Sequence, residues 1–338
     1  MNSTEWLVTV PLIDNEQLNC FESTVLTLAG MWNKEPVMLF EGAWDFHYEP
    51  ATAGDSDSAK LGLRVKSSTF EPQRNLEVHV GIRMDEYLDI PVPEGVALAA
   101  GQIRQGTPVL FTLDGYYCPW HPDFERNHAD HLFMVTGIDV TNGFLICADQ
   151  MFTRQLVKLS YRGLKGLKVD CTVFRPVLPA EPSPSWAKVL SREMFRKLKT
   201  GFGTGCFTMM RQFACDVGSL TSLKEETDHY TRLETCPLLA AMTRLMNGRL
   251  NYAALLERAA RDCGKQELQM HAKQLGDAAL EWKTISNLLL KTCFLPKPGP
   301  AFRRLETRIL RLADLEESIA RGIESIVRDD ASEDECHV

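Results

Sequence analysis

The first 175 residues of this chain mix apolar residues at helical spacing with short apolar runs that read as strands, and the remainder keeps the helical spacing almost throughout. In residues 20–31, CFESTVLTLAGM, the side chains of Phe21, Val25, Leu28 and Ala29 return every three or four positions, the period of one helix face. A polar turn, IDNEQLN, comes before them. Asn19 stands where an N-cap belongs, and Glu22 three residues on completes a capping-box pattern. Short apolar runs at Pro108–Leu113, Leu132–Ile138, Phe144–Ala148 and Val169–Val177 predict strands. The second and third are joined by five residues ending in Asn142-Gly143, a pair that predicts a hairpin. Residues 51–60 read as a polar surface loop, and 178–185, LPAEPSPS, as a Pro/Ser-rich linker. Helices are expected at 186–200, 231–246, 249–262, 266–293 and 301–327, and no internal repeat is visible.

The expected architecture is α+β: a mixed domain over 1–177, the linker at 178–185, an all-helical domain over 186–328, and an acidic, disordered tail at 329–338. With 338 residues, 44% of them hydrophobic and 24% charged, the chain has ordinary globular composition. No apolar run approaches the roughly 20 residues that span a bilayer, and the N-terminus lacks the pattern of a secretory signal, so a cytoplasmic protein without membrane contact is expected. Ten cysteines without CxxC pairs read as reduced thiols rather than a disulfide framework or a zinc site. Residues 1–175 carry 14 Lys+Arg against 23 Asp+Glu, while 176–338 carry 23 against 22, five of those acids in the tail. That basic excess is too small for nucleic acid but suits an acidic protein partner.

Three residues form a candidate catalytic constellation. Cys20 opens the first helix, where the helix N-terminus is expected to favour a thiolate. His131 opens the strand HLFMVTGID and Asp149 closes GFLICAD. Pairing of those strands would bring imidazole and carboxylate together at one end, the carboxylate orienting a base that activates the thiol. Each residue alone has a plain structural reading. His128 is a rival base, and the crowding of His121, Asp123, His128, Asp130 and His131 suggests a metal site whose spacing matches no standard motif, so no metal is expected. Gln17 and Asn19 are candidate oxyanion amides beside the Cys20 N–H.

The segments QLNCFESTVLTLAG, LGLRVKS and GTPVLFTLDGYYCPWHPDFERNHADHLFMVTGID resemble the butirosin-biosynthesis-protein-H N-terminal family, a branch of the papain-like, C39-peptidase-like clan. GRLNYAALLERAARDCGKQELQMHAKQLGDAALEWKTISNLL resembles the helical domain often found behind it. The resemblance implies a papain-like fold in the N-terminal half and a cysteine acyltransferase: an acyl, aminoacyl or peptidyl group passes from a carrier-protein thioester to Cys20, then to a small-molecule amine, as in secondary-metabolite biosynthesis. His131 takes the base position and Asp149 that of the orienting acid. No cofactor is implied beyond the phosphopantetheine carried by the donor protein. Asp114, Tyr116, Tyr117 and His128 are expected around the acceptor, with a structural turn as the alternative for the first three. Asp14 stands where C39-type peptidases usually carry a glutamine, which counts against peptidase activity. The basic run Lys188, Arg192, Arg196, Lys197 and Lys199 either meets an acidic carrier or forms a solvated helix face. A hydrolase or offloading cyclase with the same triad, an inert binding module, and a dimerising role for the helical domain are the alternatives.

Overall fold

The computed structural model of the chain describes residues 5–13, 18–50, 60–66, 72–178, 185–199, 205–228, 230, 232–233 and 236–335. It is α+β, with an antiparallel seven-stranded sheet and a C-terminal helical region, and it divides into two units. The first comprises Met1–Leu39 and Gln73–Pro182; the second comprises Phe40–Pro72 and Ser183–Val338. Residues 51–59 of the expected loop at 51–60 and residues 179–184 of the expected linker at 178–185 lie outside the described residues.

The first unit contains β1 (Glu5–Leu7), α1 (Cys20–Met31), β2 (Ile82–Pro91), α2 (Val92–Arg104), β3 (Val109–Asp114), β4 (Asp130–Asp139), β5 (Phe144–Ala148), β6 (Val157–Ser160) and β7 (Lys168–Pro176). The sheet order is β2-β7-β3-β4-β5-β6, and β1 pairs with the far end of β4. The predicted hairpin forms between β4 and β5, with Met134 opposite Ala148 and Asp139 opposite Phe144. Gly143 closes its turn at φ +77°, a conformation that costs glycine nothing. Alternation along the strands sends Val109, Phe111 and Leu113 of β3, Phe133 and Val135 of β4, and Cys147 of β5 into one apolar cluster. Val92, Ala99 and Ile103 of α2 join that cluster, four or seven residues apart on one helix face. Strand β2 and helix α2 had no expectation attached to them: β2 is an edge strand with mostly exposed positions, so its pattern carries little apolar signal.

The second unit is built from α3 (Trp186–Leu198), α4 (Cys206–Ser219), α5 (Pro237–Cys263), α6 (Gln266–Thr292) and α7 (Gly299–Glu335). It also takes residues 40–72, which the expected boundary assigned to the first domain. The reason is burial: Trp44, Phe46 and Tyr48 lie at 0–2% exposure among Phe207, Phe213, Tyr252 and Trp282. At the centre, Glu316 accepts from Trp44 Nε1 (2.7 Å), Trp282 Nε1 (2.9 Å) and both Nε and Nη2 of Arg249 (3.0 and 2.8 Å). Arg249 and Glu316 are fully buried, and these donors answer the desolvation cost of the pair. Helix α5 is one helix where two were expected with a break at Asn247-Gly248. Gly248 serves close approach there, since a Cβ would stand 2.3 Å from the Ala43 carbonyl oxygen. Helix α7 continues to Glu335, so the backbone of 329–335 is helical where disorder was expected. Ala331, Glu333 and Glu335 are good helix formers, and a helix already running through Val327 extends without a new nucleation cost.

Among the described residues no helix is long and apolar enough to cross a membrane.

Candidate active site

Cys20 is the first residue of α1, and the capping box expected from the sequence is present. The Glu22 N–H donates to Asn19 Oδ1 (2.8 Å), and the Asn19 N–H donates to Glu22 Oε2 (3.0 Å). Two of the helix's orphan donors are thereby satisfied, and the turn carrying the thiol is held. Asn19, a candidate oxyanion amide, has its side-chain oxygen committed to this cap. Gln17 and Asp14 lie outside the described residues.

The strand pairing places His131 at the start of β4 and Asp149 just past the end of β5, and their side chains meet. His131 Nε2 and Asp149 Oδ2 are 2.6 Å apart, at 3% and 1% side-chain exposure. Asp149 also accepts from Trp120 Nε1 (2.6 Å) and from the backbone N–H of Met151 (3.1 Å) and Phe152 (3.3 Å). Burial raises the Asp149 pKa, but the bond from His131, the His131 charge, the Trp120 bond and the Met151 N–H together hold it below the ordinary carboxylate value. An ionised Asp149 accepts only, so His131 Nε2 carries the proton and Nδ1 of the neutral ring is the basic nitrogen. The rings of His121 (4.4 Å), Phe152 (5.3 Å) and Phe133 (5.9 Å) surround the imidazole.

Cys20 lies close enough to Asp149 to feel its charge, and its Sγ contacts Met151 Sδ at 3.6 Å, two residues beyond Asp149. Among the described residues Cys20 makes no hydrogen bond to His131. The expectation of a lowered thiol pKa is overturned. Burial first, and the Asp149 charge second, push Cys20 up to about 11, outweighing the backbone contribution at the helix start. A buried anion next to a carboxylate is penalised twice, and one helix end does not offset both.

The remaining candidates assemble elsewhere. Leu113 sits opposite His131 and Asp114 opposite Asp130, so Asp114 and His131 leave the sheet on opposite faces. Asp114 pairs with His128 Nδ1 and accepts from the Tyr116 N–H (3.0 Å) and Ala129 N–H (3.2 Å). The His128 ring stacks on Tyr116 at 4.6 Å. Asp114, Tyr116 and His128 thus form a second, more exposed cluster, and Tyr117 meets the Tyr116 ring edge-on at 5.1 Å while packing against the apolar cluster. His128 is committed to Asp114, which separates it from the His131 site.

Trp120, Met151 and Phe152 were not singled out from sequence. An aromatic N–H donor in the loop before the base, and apolar residues directly after the acid, are the signals that mark them. In α3, the basic run is largely engaged: Arg192 pairs with Glu41, Arg196 pairs with Glu193, and Lys197 is buried. Lys188, Arg192, Arg196 and Lys199 are nonetheless exposed, as a solvated face requires, and Lys197 alone of the run is buried.

The sequence matches no protein-family model and no curated protein.

Proposed function

We propose that the chain is a cysteine-dependent acyltransferase whose first unit is a papain-like variant, with Cys20 as nucleophile, His131 as base and Asp149 as orienting acid. The observation that carries this reading is the buried His131–Asp149 pair, 2.6 Å apart, beside a thiol at a helix start. Four donors hold Asp149, so it orients the imidazole rather than titrating. In the reactive arrangement Cys20 Sγ leaves Met151 and faces His131 Nδ1; catalytic hydrogen bonds of this kind commonly tighten only with substrate present.

His131 Nδ1 takes the Sγ proton as sulfur attacks a thioester carbonyl. The tetrahedral oxyanion collapses with loss of the donor thiolate, which recovers the proton from His131 and leaves an acyl group on Cys20. An amine then attacks the acyl-enzyme, passes its proton through His131 to Sγ, and departs as an amide. Burial and the Asp149 charge keep Cys20 protonated at neutral pH, so His131 must take the Sγ proton as sulfur attacks and return it when sulfur leaves. A carrier-protein thioester is the proposed donor and a small amine the proposed acceptor.

The test is intact-protein mass spectrometry after incubation with an acyl-N-acetylcysteamine thioester. An acyl adduct on the wild type, absent from Cys20→Ala and discharged by added amines as amide, supports transfer. Discharge to free acid at a rate that amines leave unchanged supports hydrolysis, and no adduct overturns the catalytic reading.

A further inference from the structure

The turn that follows Asp149 brings two apolar side chains to the candidate site and leaves both partly in water. Its backbone is fixed: the Met151 and Phe152 N–H groups donate to Asp149 Oδ1 (3.1 and 3.3 Å), and the Thr153 N–H donates to the Asp149 carbonyl oxygen (2.9 Å). Met151 is 52% exposed and Phe152 37%. The Met151 thioether lies 3.6 Å from Cys20 Sγ. The Phe152 ring stands 5.3 Å from the His131 ring and meets His121 edge-on at 4.7 Å. The sulfur and the base are thus both bordered by exposed apolar surface.

The chemistry of the second half-reaction gives that surface an occupant. The amine nitrogen bonds to the acyl carbon, the C–S bond breaks, and one amine proton passes through His131 to Sγ. A nitrogen that hands its proton to His131 comes within about 2.6–3.2 Å of Nδ1, so the body that carries it lies beside the imidazole, where Phe152 and Met151 stand. Burial is the largest cause of the raised Cys20 pKa, and the same loss of water penalises a charged or strongly hydrated group brought to the sulfur. We propose that the acceptor is a primary amine on an apolar body, an alkylamine or arylalkylamine, seated against Phe152 and Met151. The proposal rests on the acyl-transfer reading and adds the chemical class of the acceptor.

The full-length protein is loaded from an acyl-N-acetylcysteamine thioester and given 2-phenylethylamine and ethanolamine in equal amounts. The two amides are measured by mass spectrometry against an enzyme-free control. The phenylethylamide is expected to exceed the ethanolamide by about tenfold or more beyond the control ratio. In Phe152→Ala and in Met151→Gln that preference falls toward the control, while Phe152→Leu, which keeps an apolar wall, retains most of it. The ratio is read within one sample, so a variant of lowered overall rate still reports it, and circular dichroism checks folding. A Cys20 adduct discharged by the two amines in the control ratio or in favour of ethanolamine overturns the proposal and leaves acyl transfer standing. So does a preference unchanged in folded Phe152→Ala and Met151→Gln. Absence of any Cys20 adduct, or its discharge to free acid alone, overturns acyl transfer and the proposal with it.

Discussion

Asp149→Asn separates the two effects the carboxylate has in the candidate site. The substitution keeps the shape and removes the charge. Because the Asp149 charge is the second cause of the raised Cys20 pKa, after burial, the thiol is expected to titrate below about 11 in the variant. At pH 7 a thiol of that pKa is ionised about once in 10⁴ molecules. Each unit of decrease raises the thiolate fraction about tenfold, but the more acidic thiolate is less nucleophilic, with a Brønsted coefficient of about 0.4–0.5, so alkylation accelerates about threefold per unit. Acyl transfer is expected to move the other way. Without the carboxylate the imidazole loses its tautomer and its stabilised cation, a change worth about 10⁴-fold when such an acid is replaced by its amide. The assay is the pH dependence of iodoacetamide labelling at Cys20 by peptide mass spectrometry, run beside acyl transfer on the same samples. A Cys20 titration identical to wild type refutes the reasoning, since the carboxylate field would not reach the sulfur. A variant that transfers acyl groups at the wild-type rate refutes the role given to Asp149.

Asn19→Ala removes the side-chain half of the capping box and is expected to lower stability by about 1 kcal/mol in urea unfolding, with Cys20 labelling becoming less uniform across the population. Arg249→Met leaves Glu316 buried with only its two tryptophan donors and is expected to cost about 3–5 kcal/mol, read from the shift of the urea midpoint at unchanged slope. The lowered pKa of Asp149 sets a pH dependence: the unfolded chain binds the proton more readily, so this contribution is present above about pH 3.9 and is lost as pH falls through the folded value. Urea unfolding from pH 7 down to pH 3 is expected to show a shallower loss for Asp149→Asn than for wild type, and parallel curves contradict the assignment.

Local signals determined much of what the chain shows. The Asn19–Glu22 spacing carries its own hydrogen bonds, so the start of α1 and the place of Cys20 were legible from four residues. Asn142-Gly143 closes the β4–β5 turn through its own backbone preference, and once that register holds, the meeting of His131 with Asp149 follows from two strands of known length. What needed tertiary structure was everything decided by burial. Trp44, Phe46 and Tyr48 lie between β1 and β2 in sequence yet pack among distant helices, because apolar area is indifferent to chain order. Asp114 and His131 lie close in sequence terms but leave opposite faces of paired strands, a consequence of pleat and register. The Cys20 pKa turned on desolvation and a neighbouring carboxylate, neither of which a helix start announces. Lys197 belongs to a basic run in the sequence, and only the packing of the second unit buries it over the rings of Trp44 and Tyr252.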